Sequence, residues 1–286
     1  MLQYIDYYNK KGDKVRISDG METQFAFYDI SGVSPPQAAI NTTSTAGYDG
    51  SVVNNTSVEK RNIVLTIQIL GDATAGKKAL YSVFKSKQQG ELFYKSDGWE
   101  VKIPCYTEKL EIVPTARPLT AVISLICPQP YWEALDALHV ELQSITNAFY
   151  FPLVLLEEGI PLGIINPQYA INVENDGDVT LGFTVEFIAN NGTVSNPKLI
   201  NTQTLEYLAL DMEMQAGDVI TICTTRSNKR VTLTRNGVDY NYFNSLADGS
   251  TFLQLDEGDN EFQFTADGGE SNLLMRMSYV PLYIGV

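Results

Sequence analysis

Between Asn-Gly and Asp-Gly dipeptides, apolar residues in this 286-residue chain recur again and again with a period of two. In Asn62–Leu70, Ile63, Leu65, Ile67 and Ile69 share one face and Val64, Thr66 and Gln68 the other. The sets Trp99, Val101, Ile103, Cys105 and Ala121, Ile123, Leu125, Cys127 repeat the alternation. A strand buried on one face and solvated on the other requires this spacing, so strands dominate the expected structure. The clearest helix signal is Lys77–Lys87, where Leu80, Val83 and Phe84 follow i, i+3, i+4 spacing with lysines on the solvated side.

The second half is patterned throughout. Val179, Leu181, Phe183, Val185 and Phe187 alternate with polar residues. Short runs follow at Leu205–Asp211, Gly217–Cys223, Arg230–Arg235, Thr251–Leu255, Glu261–Thr265 and Leu273–Val280. Turn dipeptides at this spacing predict a jelly-roll-type β-sandwich from about Tyr169 onward. The first half reads as a small α+β or mostly β unit whose clear patterning ends near Pro130. Residues 132–145 have helix-like spacing at Leu135, Leu138, Leu142 and Ile145, and an apolar, proline-bearing connector spans 148–168. Domains are therefore expected at 1–147 and 148–286.

With 20 Lys+Arg against 34 Asp+Glu the chain carries a net charge of −14 and a pI near 4.5, which disfavours contact with a phosphate backbone. No apolar run reaches 18 residues, so membrane insertion is not expected, and Met1–Tyr8 shows neither the basic nor the apolar region of a secretory signal. The expectation is synthesis in a reducing cytoplasm, with Cys105, Cys127 and Cys223 as buried free thiols.

His139 is the lone histidine, so two-histidine zinc chemistry is excluded, and no nucleophile elbow or reactive-cysteine signature accompanies it. Phosphate-cradling glycine loops do not occur. Two carboxylate sets, Glu174/Asp176/Asp178 and Asp256/Glu257/Asp259/Glu261, fall in Asp-Gly turn contexts and match no calcium loop. No catalytic, cofactor or metal residue is expected. Three N-glycosylation sequons, at Asn41, Asn55 and Asn191, read as polar loop chemistry. Tyr240, Tyr242 and Phe243, in Asp239-Tyr-Asn-Tyr-Phe-Asn244, have the composition of a sugar-stacking patch, which makes host-surface glycan binding the alternative function.

An ordered series of short motifs carries a resemblance over nearly the whole chain. It comprises Asp29-Ile-Ser-Gly32, Arg61–Gly71, Gly90-Glu-Leu-Phe-Tyr94, Cys127-Pro-Gln-Pro130 and Phe149-Tyr-Phe-Pro152. It continues through Asn175-Asp-Gly-Asp-Val179, Asn196-Pro197, Gly217–Ile222, Asn236-Gly237, Leu253–Asn260 and Tyr279–Val286. Together these resemble the distal tail protein family of siphophages and related prophages. The resemblance implies a ring-forming N-terminal domain and a galectin-like C-terminal sandwich, assembled as a homo-hexamer at the baseplate. Its implied partners are the tail tube protein, the tail-associated tip protein and the receptor-binding protein, in a structural rather than enzymatic role. It implies a product of the host cytoplasm built into the virion tail tip for host attachment. A closed ring would also cover Asn62–Leu70, which as an open edge strand would invite aggregation.

Overall fold

The computed structural model describes residues 2–19, 23–44, 46–47, 49–142, 145–146, 164–165 and 170–286. The chain is mostly β and divides into two compact units, Met1–Leu135 with Leu282–Val286, and Asp136–Pro281. The connector expected at 148–168 falls almost wholly outside the described residues; only Ile164–Ile165 is seen. No helix among the described residues is long and apolar enough to cross a membrane.

In the first unit, strands β1 (Leu2–Asn9), β2 (Lys14–Ser18), β3 (Phe25–Ser31), β4 (Ala38–Thr43), β5 (Val52–Val58) and β6 (Arg61–Ile69) precede helix α1 (Ala73–Val83). Strands β7 (Gln89–Ser96), β8 (Trp99–Val113), β9 (Leu119–Cys127) and β10 (Trp132–Ala134) follow it. Hydrogen bonding runs β8-β7-β1-β2-β3-β6-β9, and β9 pairs again with β8, which closes a seven-stranded barrel. The 15 residues of β8 make closure possible: its first half pairs β7 and its second half β9, with a register shift between Thr107 and Lys109. The alternating residues read from the sequence, Ile63, Leu65, Ile67, Ile103, Ile123 and Leu125, are all fully buried. β6 lies between β3 and β9, so the expected open edge at Asn62–Leu70 does not exist.

The helix begins four residues earlier than the spacing suggests. The Asp72 carboxylate accepts from the amides of Thr74 and Ala75 and so fixes the N-terminus, while the amide of Phe84 closes the last turn on Leu80. Lys85 and Lys87 lie beyond it, and Leu80, Val83 and Phe84 enter the barrel core, where the Phe84 ring stacks on Tyr7 at 4.3 Å.

In the second unit, β11 (Leu138–Leu142) is followed by the pair β12 (Ile145–Thr146) and β13 (Ile164–Ile165). Next come β14 (Ala170–Asn175), β15 (Thr184–Ala189), β16 (Val194–Asn201), β17 (Tyr207–Ala209) and β18 (Glu213–Met214). The series ends with β19 (Val219–Cys223), β20 (Arg230–Arg235), β21 (Val238–Asn241), β22 (Gly258–Gly268) and β23 (Leu273–Tyr279). Two antiparallel sheets form, β11-β23-β15-β19-β20-β21 and β14-β22-β16-β17, with β18 added on β16. Both contribute buried faces, Val185, Phe187, Ile220, Ile222, Leu233, Met275 and Met277 from one and Val173, Leu199, Phe262 and Phe264 from the other. Phe183 meets Phe262 edge-on at 5.6 Å between them.

Where the structure describes 132–142, it forms two short strands and no helix. Trp132–Ala134 pairs with β8, and Leu138–Leu142 pairs with β23, placing His139 opposite Ser278. Long-range pairing overrides helix-like spacing here. The strand expected from Val179 starts only at Thr184. A Cβ on Gly182 would come within 2.5 Å of the Thr225 backbone, and the Thr224 hydroxyl takes the place of a ladder partner for the Phe183 amide, while the Thr224 amide and hydroxyl both donate to the Phe183 carbonyl. Thr251–Leu255 likewise makes an isolated bridge, Leu181 to Leu255, rather than a strand.

Asp218 is buried and bonded by both arms of Arg235, at 2.8 and 2.5 Å, and by the amide of Gln215. The Arg235 bond holds its carboxyl below the ordinary 3.8 in spite of burial. A depressed carboxylate stabilises the fold above its unfolded value, and that contribution is lost as pH falls through the folded value. Asp218→Asn should therefore lower the urea midpoint of the second unit at pH 6, with the gap to wild type closing below about pH 3.8.

Candidate functional site

β4 and β5 leave the barrel between β3 and β6 and form a two-stranded sheet of their own. The register pairs Ala38 with Val58, Ile40 with Thr56 and, past a bulge, Thr42 with Val53, so Ile40, Val53 and Val58 share one face. They are 61%, 56% and 41% exposed. Asn41 and Asn55, expected in loops, face each other across this hairpin. Isolated two-stranded ribbons are marginally stable in water, and an aliphatic face on one leaves apolar area open to solvent.

One side chain clamps the base of the hairpin. Arg61, the first residue of β6, is buried. Its Nη1 donates to the carbonyls of Gly32 and Ser34, its Nε to Pro130 and its Nη2 to Ile284, all at 2.6–2.7 Å. The indole of Trp132 lies over the guanidinium at 5.7 Å and donates to Val33. No ion pair offsets the charge among the described residues; burial lowers the Arg61 pKa, and four carbonyl dipoles carry the compensation. The carbonyls come from the strand entering the hairpin, the segment before β10 and the chain's last residues, where Leu282–Tyr283 pairs with β10. Gly32, at φ 84°, admits no side chain, because a Cβ would lie 2.0 Å from the carbonyl oxygen of Asn62.

In the second unit the two carboxylate sets meet at one end of β14 and β22, where Glu174 pairs with Asp259. Their oxygens serve neighbouring polar groups: Asp259 accepts from Asn172, Asp256 from Thr180 and Glu261 from Thr202. Buried Asn175 and Asn260 lock the turns by bonding backbone groups of Gly177, Val179, Asp256 and Gly258. Among the described residues no group of three His, Cys, Asp or Glu is placed to hold a metal ion. All three cysteines are buried and free.

The aromatic candidates come together at the free edge β21. Tyr240 is 48% and Phe243 41% exposed, and Tyr242 is half-buried. Tyr242 donates its amide to Val231, Asn241 accepts the amide of Phe243, and Phe243 stacks on Phe252 at 5.8 Å.

Residues 18–127 match the family of phage tail protein RIFT-related domains, and residues 176–283 match the C-terminal domain of siphovirus-type tail components. The chain belongs to the distal tail protein family of siphophages. It is a siphovirus-type tail component, and its place is the virion. Its fold is that of the SPP1 Dit protein, described as a paradigm of the hub adsorption apparatus in Gram-positive-infecting phages. The TM-score is 0.69 at 13% identity, over 97% of this chain and 98% of that one. A chain of the phage P2 baseplate in its activated conformation with Ca matches with TM-score 0.51 and 11% identity over 98% of both chains. No curated protein sequence matches significantly.

For this distal tail protein the clamp yields a direct test. Both tryptophans lie in the first unit, so their fluorescence follows that unit alone. Arg61→Ala removes all four hydrogen bonds, the buried one to Pro130 included, and should cost about 3–5 kcal/mol in urea unfolding read by tryptophan emission. Arg61→Lys, whose ammonium cannot span the four segments, should lose most of the same stability.

Proposed function

We propose that the first unit closes a homo-hexameric ring that joins the tail tube protein to the tail-associated tip protein and the receptor-binding apparatus. The observation that carries this reading is the β4–β5 hairpin: clamped at its base by Arg61, it presents Ile40, Val53 and Val58 on one uncovered face. A neighbouring copy supplies the cover, and a ring repeats that contact until it closes on itself.

Charge supports the same division of labour. The first unit has 14 Lys+Arg and 14 Asp+Glu and is neutral, whereas the second has 6 and 20, which is the whole −14. Copies of a neutral unit approach one another without net repulsion; copies of the acidic one do not. The role is structural, with assembly following synthesis in the host cytoplasm.

Light scattering on the purified chain should give the mass of a hexamer, and negative-stain images a ring. Ile40→Asp with Val53→Asp should reduce it to a monomer with its tryptophan unfolding transition unchanged. A hexamer that survives this double change, or a wild type that stays monomeric at every concentration, would overturn the reading.

A further inference from the structure

We infer that the β20–β21 corner of the second unit binds an anionic oligosaccharide, one whose sugar rings carry isolated carboxylate or phosphate groups. This goes beyond the hub role and does not depend on the ring. The unit holds six cations, and four of them, Arg226, Lys229, Arg230 and Arg235, fall within ten residues beside the aromatic edge. Between residues 224 and 247 Asp239 is the lone acid, and it accepts a hydrogen bond from the Thr234 hydroxyl at 2.6 Å. An acidic unit thus keeps four of its six positive charges in one short segment.

The aromatics share that place. The register sets Tyr240 opposite Leu233 and the Tyr242 amide on Val231, which puts both tyrosines on the face of β20 that carries Arg235 and leaves Arg230 on the other face of the same edge. The Lys229 ammonium lies 4.8 Å from the ring centroid of Phe252, on which Phe243 stacks. Arg235 is committed to Asp218, but Arg226, Lys229 and Arg230 are exposed, and among the described residues none of these three is ion-paired. Tyrosine and phenylalanine faces take the apolar C–H face of a sugar ring, and arginine and lysine take its anionic substituent. Charge density selects between polyanions. A nucleic acid carries a charge about every 1.7 Å of duplex axis. Its length would run out of the basic corner into the field of a −14 unit, whereas an oligosaccharide with sparse charges places them within the corner.

The test is calorimetric titration of the full chain with tetragalacturonate for the carboxylate arm and a phosphorylated pentamannose for the phosphate arm. Cellotetraose serves as the neutral analogue and a short oligothymidylate as the competing polyanion. At least one anionic sugar should bind with a millimolar or tighter Kd that weakens about tenfold between about 20 and 200 mM salt, and cellotetraose should bind at least tenfold more weakly. Arg226→Glu, Lys229→Glu and Arg230→Glu combined should abolish binding, and Tyr240→Ala should weaken it at least about fivefold. Lys198→Glu, on the other sheet, should leave it unchanged; all variants should keep the wild-type melting curve. Failure of both anionic sugars to bind, undiminished binding by the triple variant, or oligothymidylate binding as tightly as the sugars would each overturn the assignment.

Discussion

A single buried guanidinium ties the first unit together. Arg61 joins residues 27 to 223 positions away in sequence through four backbone carbonyls. A planar cation with five donors meets several carbonyls at once, which a point-charge ammonium cannot. The hairpin base, the approach to β10 and the chain end therefore depend on one another. The close pass of Gly32 over the Asn62 carbonyl follows from the same convergence, as do the contacts of Trp132 with Val33 and with the Arg61 cation.

Closure of the barrel transfers the edge problem rather than removing it. Sealing β9 against β8 leaves no free edge in the ring of seven strands, so β6, which reads as exposed in isolation, is protected at both sides. The liability passes to β4–β5, whose polar face carries Asn41 and Asn55 and whose other face is aliphatic. A ribbon of this kind is tolerable in a protein that spends its working life assembled.

Strand periodicity was legible wherever one face is buried and the partner strands are long, as at β6, β9 and β20. Legibility fails where tertiary contacts decide. Nothing local marks Trp132–Ala134 and Leu138–Leu142 as strands, because their partners lie some 30 residues upstream and 140 downstream. The Asp72 cap was readable as Gly-Asp-Ala-Thr ahead of the apolar spacing, yet the lysines drew the expected helix toward Lys87. Tyr240, Tyr242 and Phe243 were visible by composition, but their basic setting shows only when charge is counted by unit. Arg61 stands in the sequence as the first residue of the Arg61–Gly71 motif, but nothing local marks its clamp, since its partners are backbone atoms.

That count by unit also constrains how the two halves can work. A chain of uniform acidity would repel its own copies everywhere; here one half carries no net charge, and the other carries the whole −14 and with it the repulsion. Because exposed charges are screened beyond about 10 Å at 0.1 M salt, the repulsion is a short-range brake on contact between acidic units. Within such a field a local basic corner keeps its attraction only for ligands that fit inside it. Charge partition thereby sets a neutral unit beside a strongly acidic one on a single chain, without a boundary that hydropathy alone would mark.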